Sequence, residues 1–186
     1  MTWMLRRLFL LSSFLSIFIY GQPAGTCLCE VVEGKPLTAR QCSLTNEAEK
    51  QPKTVPYFFV KDTNPRKANR TLLLPRVYTG GMMELKDISA SQRTALWTAA
   101  IAKSKELWGA NWGVAMNGAK VRTQCHLHIH IGEMIKGLER TGKYLVVDSP
   151  SRIPVPRDGN GLWIHPQGQK LVVHTGEQAA ETVLLR

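Results

Sequence analysis

Residues 124–131 alternate polar and apolar side chains without interruption. Because successive side chains of a β-strand point to opposite faces, the alternation predicts a strand with one buried face and one polar face. The buried face would hold Cys125, Leu127, Ile129 and Ile131. The polar face would hold three of the five histidines in the chain, which are His126, His128 and His130. We therefore interpret Cys125 as a small core residue and not as a nucleophile.

The segments around this strand predict an α+β domain. Residues 89–108 place apolar side chains at helical spacing, with Asp87 or Ser89 as the N-cap and Gly109 at the end. Runs of β-branched and aromatic residues predict further strands at 57–60, 70–74, 112–116, 144–147, 162–165 and 170–173. The polar, proline-containing residues 43–56 predict a loop, and residues 177–185 predict a final helix. Together these elements predict an antiparallel sheet with one main helix across it.

The N-terminal segment has the organisation of an export signal. Arg6 and Arg7 precede an apolar run at residues 8–20, and small residues follow as candidates for a cleavage site. The run of about 13 residues is shorter than the roughly 20 that a membrane-spanning helix needs, although an uncleaved anchor is the alternative. We divide the chain into a signal peptide or anchor (1–24), a cysteine-containing arm (25–55) and one domain (56–186).

Three of the four cysteines, Cys27, Cys29 and Cys42, lie in the arm. An exported chain folds in an oxidising compartment, so we expect Cys42 to form a disulfide with Cys27 or Cys29. Cys27 and Cys29 are separated by a single residue. That spacing is tighter than the usual spacing of paired zinc ligands, which argues against a zinc site in the arm.

The chain is strongly basic, with a formal net charge of +10. Such an excess suits a polyanionic partner, which would be a phosphate compound, an anionic lipid or a nucleic acid. A general effect on solubility is the alternative explanation. Because a nucleic acid is not expected outside the cytoplasm, export argues against that partner.

Three interpretations of the histidine face compete. A surface strand without chemistry would have no reason to place three imidazoles side by side. A metal site would use the imidazoles as ligands for zinc or another transition metal, with His165 or His174 as a further ligand. Nucleophilic catalysis would use the central His128 to attack phosphorus, while the neighbouring imidazoles set its tautomer and transfer protons.

The histidine segment and its surroundings resemble the histidine-triad family, whose motif is three histidines that alternate with hydrophobic residues. The resemblance covers about residues 55–135, in the order hairpin, helix, strand, loop beginning at Asn117, and histidine strand. Ordinary members have histidines where this chain has Arg70 and Val77, and a glycine-rich loop where it has residues 117–124. The ending Arg-Thr-Gln-x-His-x-His-Ile-His-Ile, behind a membrane-directed segment, is similar to the bacterial CDP-diacylglycerol pyrophosphatases, whose C-terminal half is longer.

The resemblance implies a histidine-triad fold and a hydrolase that cleaves the pyrophosphate of CDP-diacylglycerol to CMP and phosphatidate. It implies that His128 is the nucleophile and forms a phosphohistidine, and that His126 and His130 contact the phosphate and the scissile oxygen. The implied substrate-binding residues are Asn117, Arg122, Thr123 and Gln124. The resemblance implies no metal and no other cofactor.

The export signal at residues 6–20 and the resemblance together imply where the protein acts. The mature protein would lie in the periplasm or on the outer face of the inner membrane, in contact with a membrane surface and a lipid-linked nucleotide. One alternative is an exported hydrolase of soluble nucleotides or phosphoramidates. Another is a nucleotide- or metal-binding module without turnover. The sequence makes no prediction of the oligomeric state.

Overall fold

The computed structural model describes residues 42–62, 64–67, 69–139 and 142–185, which form an α+β fold. Seven antiparallel strands make one sheet, as predicted. The strands are β1 (Tyr57–Lys61), β2 (Thr71–Pro75), β3 (Trp112–Met116), β4 (Ile129–Glu133), β5 (Lys143–Val147), β6 (Gly161–Gln167) and β7 (Lys170–Glu177). Their order across the sheet is β1-β2-β4-β3-β6-β7-β5. The signal or anchor segment and the arm as far as residue 41 lie outside the described residues.

The main helix, α2 (Ala90–Trp108), follows from local sequence signals. The Ser89 side chain accepts a hydrogen bond from the Gln92 backbone, and the Gln92 side chain accepts one from the Ser89 backbone, so a capping box starts the helix. Gly109 ends it with a φ of 56°, which glycine adopts readily. Its buried face packs on one side of the sheet, in a core that includes Leu96, Trp97, Leu127, Ile129 and Ile131. Every helix within the described ranges is too short or too polar to cross a bilayer.

A short helix, α1 (Ser43–Glu49), stands where the sequence predicts a loop, so that prediction is wrong. Its Leu44 and Ala48 pack against Leu72 and Leu74 of β2. A helix of seven residues does not form alone in water, and tertiary packing must stabilise it. The isolated polar sequence therefore gives little sign of this helix.

The ends of two predicted elements also differ. Strand β4 begins at Ile129, so residues 125–128 approach the sheet without joining its ladder, although Leu127 is fully buried as expected. Strand β7 extends to Glu177, and the helix predicted at residues 177–185 is only the short 3₁₀ helix Ala180–Val183. We call residues 178–185 the C-terminal strap. The strap pairs its backbone with residues 133–135 at the end of β4.

The face of the sheet opposite α2 contains one row of aligned side chains across five strands. Cross-strand register aligns Leu72, His130, Ala115, Trp163 and His174 from β2 to β7. Helix α1 covers the Leu72 end, and the C-terminal strap covers Ala115 and Trp163. His130 lies between α1 and the C-terminal strap. At this position the fold leaves space for a cleft.

The cysteines differ in part from expectation. Cys42 is disulfide-bonded, as expected, whereas its predicted partners Cys27 and Cys29 lie outside the described residues. Cys125 is fully buried, but it is also disulfide-bonded, so the interpretation of it as a simple core residue is incomplete. Among the described residues no cysteine is free. Cys42 directly precedes α1 and Cys125 directly precedes His126, so disulfides fasten both segments.

Reduction of these disulfides is expected to lower the free energy of unfolding by about 2–5 kcal/mol, because it frees the unfolded chain from its cross-links. Urea unfolding with and without dithiothreitol measures the change, and thiol counting confirms that reduction is complete. Equal unfolding midpoints for the oxidised and the fully reduced protein would contradict the structural role of the disulfides.

Candidate active site

A cleft of about 440 Å³ opens between α1, the C-terminal strap and the histidine segment. We call it the histidine cleft. Of the predicted site residues, it brings together His128, His130, Asn117, Thr123 and Gln124. His126 and Arg122 are not in its lining. The lining also includes Ser43, Asp62, Asn64, Lys67 and Glu181.

His128 has its tautomer fixed by the backbone. Its Nδ1 lies 2.8 Å from the carbonyl oxygen of His126, and since a carbonyl only accepts, Nδ1 must hold the hydrogen. Nε2 therefore has a free lone pair, and no described residue hydrogen-bonds to it. Burial first, and then the charges of His130 and Arg122, lower the pKa of His128 well below its ordinary value. His128 is thus a neutral imidazole with a nucleophilic nitrogen available.

His130 is next to His128 and lacks hydrogen-bond partners. The two ring centroids are 4.9 Å apart, with an angle of 70° between the ring planes. The residue is 4% exposed, and neither of its ring nitrogens has a hydrogen-bond partner. Burial and the cations Lys67 and Arg70 lower its pKa to about 4, against the opposing effect of Glu181. Buried polar groups almost always have partners, so groups that enter the cleft, water included, are expected to bond to these nitrogens.

The side chain of His126, unlike those of His128 and His130, does not line the cleft. Its Nε2 donates to the carbonyl oxygen of Pro75 at 2.7 Å, and its ring stacks on Tyr78 with centroids 5.4 Å apart. Burial lowers its pKa to about 4. With its side chain held away from the cleft, His126 contributes to the site through its carbonyl oxygen, which orients His128.

Arg122 is buried and is not part of the cleft lining. Its guanidinium donates to the backbone carbonyl of Met83 and to the sulfur of Met82. Because Arg122 is not part of the cleft lining, its position gives no support to the expected bidentate contact with a phosphate there. Gln124 is better placed, because its side-chain oxygen accepts from Ser43 Oγ and the Leu44 backbone and so connects α1 to the cleft.

Glu181, on the C-terminal strap, is a site residue that sequence reasoning missed. Its carboxylate accepts from Lys67 Nζ at 2.5 Å and Asn117 Nδ2 at 2.9 Å, and one of its oxygens lies 3.5 Å from His130 Nδ1. Burial alone would raise the pKa of Glu181, but the interactions with His130, Lys67 and Asn117 lower it to about 2. Glu181 is therefore an anion beside the histidine pair throughout the neutral pH range.

Arg70 holds Glu181 and the strap in place. It is 2% exposed, and its Nη1 donates to the Glu181 carboxylate at 2.5 Å. Its other nitrogens donate to the backbone carbonyl oxygens of Glu181, Leu184 and Leu185. The one sequence signal for Glu181 was Arg70, an arginine at the start of a predicted strand, since a buried guanidinium needs a carboxylate.

The remaining two histidines form a separate pair on β6 and β7. The Nε2 atoms of His165 and His174 are 3.2 Å apart, and the His174 ring stacks on Trp163 with centroids 3.5 Å apart. They are therefore partners of one another and lie on strands that do not line the histidine cleft. Among the described residues no group of three or more His, Cys, Asp or Glu side chains is placed to hold a metal ion.

The buried histidines predict a loss of stability in acid. The pKa values of His126 and His130 are about 4 in the folded protein and near 6.5 in an unfolded chain. Between these values the unfolded state binds more protons, so the free energy of unfolding falls as the pH falls from 6.5 to 4. The expected loss is on the order of 3 kcal/mol for each imidazole. Urea unfolding at several pH values measures this loss. A free energy of unfolding that does not change between pH 6.5 and 4 would contradict the presence of buried, neutral imidazoles. His126→Gln should give a shallower profile.

The chain matches no protein-family model, and it matches no curated protein.

Proposed function

We propose that the protein is a hydrolase that cleaves the pyrophosphate of CDP-diacylglycerol to CMP and phosphatidate through a phosphohistidine. The observation that supports hydrolysis most strongly is the state of His128. Its Nδ1–H is fixed on a backbone carbonyl, and its Nε2 lone pair is available in a cleft. The resemblance of the histidine segment to the CDP-diacylglycerol pyrophosphatases supplies the proposed substrate.

In the first step the Nε2 lone pair of His128 attacks a phosphorus atom of the pyrophosphate. The new nitrogen–phosphorus bond forms as the bridging phosphorus–oxygen bond breaks, and the leaving phosphate takes the bond's electron pair. His130 is neutral in the free protein, takes up a proton when the polyanionic substrate binds beside it, and gives that proton to the leaving oxygen. The Nδ1–H of His128 stays on the His126 carbonyl, which stabilises the positive charge that develops on the His128 ring.

In the second step water attacks the phosphorus of the phosphohistidine. The nitrogen–phosphorus bond breaks, and its electron pair returns to His128 Nε2. The proton that water loses passes to His130, which had become neutral in the first step. Both imidazoles then have the protonation states of the substrate complex, and His130 releases its proton when the products leave. The cycle consumes one water molecule.

The cleft residues outside the histidine pair support an anionic, nucleotide-containing substrate. The Lys67 ammonium, together with the polar side chains of Thr123 and Asn64, lines the same cleft and offers donors to phosphate oxygens. The formal net charge of +10 favours the approach of a polyanion or an anionic lipid surface. Export, with the protein in the periplasm or anchored at the inner membrane, is part of the same proposal and rests on residues 1–24.

The composition of the cleft favours a second candidate, a hydrolase of soluble nucleotides or phosphoramidates. Polar side chains make up most of the lining, and its aliphatic residues are Leu44, Leu72 and Val121. A bound lipid would need an apolar surface for its acyl chains. A soluble substrate would need none.

Substrate comparison with purified protein tests the proposal. CDP-diacylglycerol in detergent micelles is compared with a water-soluble CDP ester and a nucleoside phosphoramidate. We expect kcat/KM to be about tenfold or more higher for the lipid substrate, which corresponds to about 1.4 kcal/mol of additional binding. CMP and phosphatidate should appear in equal amounts. Faster turnover of the soluble esters would favour the second candidate, and turnover of none of them would contradict both.

A further inference from the structure

We infer that Glu181 is a positioning residue for this reaction. Its carboxylate lies 3.5 Å from His130 Nδ1, becomes the acceptor of the Nδ1–H during the reaction and thereby directs His130 Nε2 at the leaving oxygen. The inference rests on the proposed function and deepens it. It makes the C-terminal strap, about 50 residues after the histidine segment in sequence, a part of the active site.

The position of the carboxylate is fixed from several sides. Arg70 donates to one carboxylate oxygen of Glu181 and to its backbone carbonyl. The Asn117 side chain donates to the other carboxylate oxygen and accepts from the Glu181 backbone N–H. The distance of 3.5 Å to His130 Nδ1 is a few tenths of an ångström longer than an ordinary N–H···O bond. An approach of the imidazole by a few tenths of an ångström would complete the bond.

His130 needs such an acceptor because the described structure satisfies neither of its nitrogens. As an imidazolium it has two N–H groups, one for the leaving oxygen and one that otherwise stays unpaired in a buried site. The charged groups that act on His130 are Lys67, Arg70 and Arg122, which disfavour its protonation, and Glu181, which favours it. His128, in ring contact with it, is neutral. Glu181 is thus the group that supports the protonated form.

The proton balance of the cycle is consistent with this role. In the first step His130 gives its Nε2 proton to the leaving oxygen and keeps its Nδ1–H on Glu181. In the second step Nε2 recovers a proton from the attacking water. Glu181 stays ionised in both steps, because Arg70 and Asn117 continue to donate to it. The neutral form of His130 is therefore the Nδ1–H tautomer.

The first test is spectroscopic and needs no turnover. Nitrogen-15 NMR of the histidine rings at pH 7 should show His130 protonated at Nδ1 and not at Nε2 in the unsubstituted protein. Glu181→Gln should lose this preference, whereas Lys67→Met should keep it. An Nε2–H tautomer in the unsubstituted protein would overturn the inference, even if CDP-diacylglycerol is hydrolysed. The Nδ1–H tautomer without hydrolysis would instead contradict the proposed function alone.

The second test is the pH dependence of kcat, whose basic limb reports the pKa of the general acid in the substrate complex. Glu181→Gln removes a negative charge and should lower this pKa by about 1 or more, so the limb moves to lower pH. Lys67→Met removes a positive charge and should move the limb to higher pH. A purely structural role for Glu181 would not move the two limbs in opposite directions. Unmoved limbs, or limbs that move together, would therefore overturn the inference.

A matched control separates the carboxylate from the strap that positions it. Val183 belongs to the same 3₁₀ helix as Glu181, and its side chain is buried against the sheet. Val183→Ala should loosen the strap while it leaves the carboxylate in place. We expect this variant to keep the Nδ1–H tautomer of His130 and the position of the basic limb in the pH profile of kcat. If it reproduces the effects of Glu181→Gln, the role of Glu181 is only to hold the strap, and the inference is wrong.

Discussion

Replacing His128 with alanine is expected to reduce kcat by a factor on the order of 10⁵–10⁶, the scale seen when a covalent nucleophile is removed. The substitution removes the free Nε2 lone pair, and no second imidazole replaces it. His130 is adjacent, but its nitrogens serve proton transfer in the proposed mechanism. The side chain of His126 is bonded to Pro75 and lies outside the cleft lining. Steady-state hydrolysis of CDP-diacylglycerol measures the effect.

Two further substitutions show whether this effect is specific. His130→Ala should slow turnover by a factor on the order of 10²–10⁴, the usual contribution of a positioned acid or base. His165→Ala removes an imidazole of the separate pair on β6 and β7, and its kcat should remain close to that of the unsubstituted protein. Equal losses for all three substitutions would point to a general requirement for folding. Substantial activity in His128→Ala would contradict the assignment of the nucleophile.

Arg70→Met is expected to lower the free energy of unfolding by about 3–5 kcal/mol, the cost of breaking a buried ion pair. Arg70 is 2% exposed and satisfies both the Glu181 carboxylate and three backbone carbonyls of the C-terminal strap. Methionine fills a similar volume, but it leaves these acceptors without their donor. Urea unfolding at pH 7 measures the loss.

Arg66→Met is the matched control for Arg70→Met. Arg66 lies in the same loop and carries the same charge, but it is exposed to solvent. Its substitution should change the free energy of unfolding by no more than about 0.5 kcal/mol. A second variant, Arg70→Met with Glu181→Leu, removes both charges and should be less destabilised than Arg70→Met alone. Equal stability of Arg70→Met and Arg66→Met would show that the buried ion pair does not hold the strap.

Much of the fold could be predicted because its signals are local. The alternation around His128 places Leu127, Ile129 and Ile131 in the core, and all three are fully buried. The capping box at Ser89 and Gly109 at the end of α2 mark a helix whose bounds differ from expectation by one residue. Helix α1 was missed, because what stabilises it is packing against β2, which is not visible in its own polar sequence.

The candidate site could be predicted only where its geometry follows from strand alternation. His128 and His130 line the cleft, whereas the side chain of His126 is bonded to the carbonyl oxygen of Pro75 and is not in the lining. Arg122 was predicted to contact a phosphate together with its sequence neighbours Thr123 and Gln124, and these two residues do line the cleft. Its acceptors belong to residues 82–83, which are distant in sequence, so no local pattern could reveal its orientation. Glu181 lies beside the histidines because the C-terminal strap pairs with residues 133–135, and this pairing is not visible in the sequence around Glu181.

The most direct test of the central claim is to trap the covalent intermediate. CDP-diacylglycerol radiolabelled on both phosphates is mixed with the protein, the reaction is stopped by denaturation within the first turnover, and labelled peptides are identified by mass spectrometry. The proposal predicts label on His128 in the unsubstituted protein, no label in His128→Ala, and turnover that a metal chelator does not affect. Rapid hydrolysis that leaves no labelled histidine and stops when a chelator is added would contradict the proposal and favour metal-assisted attack by water.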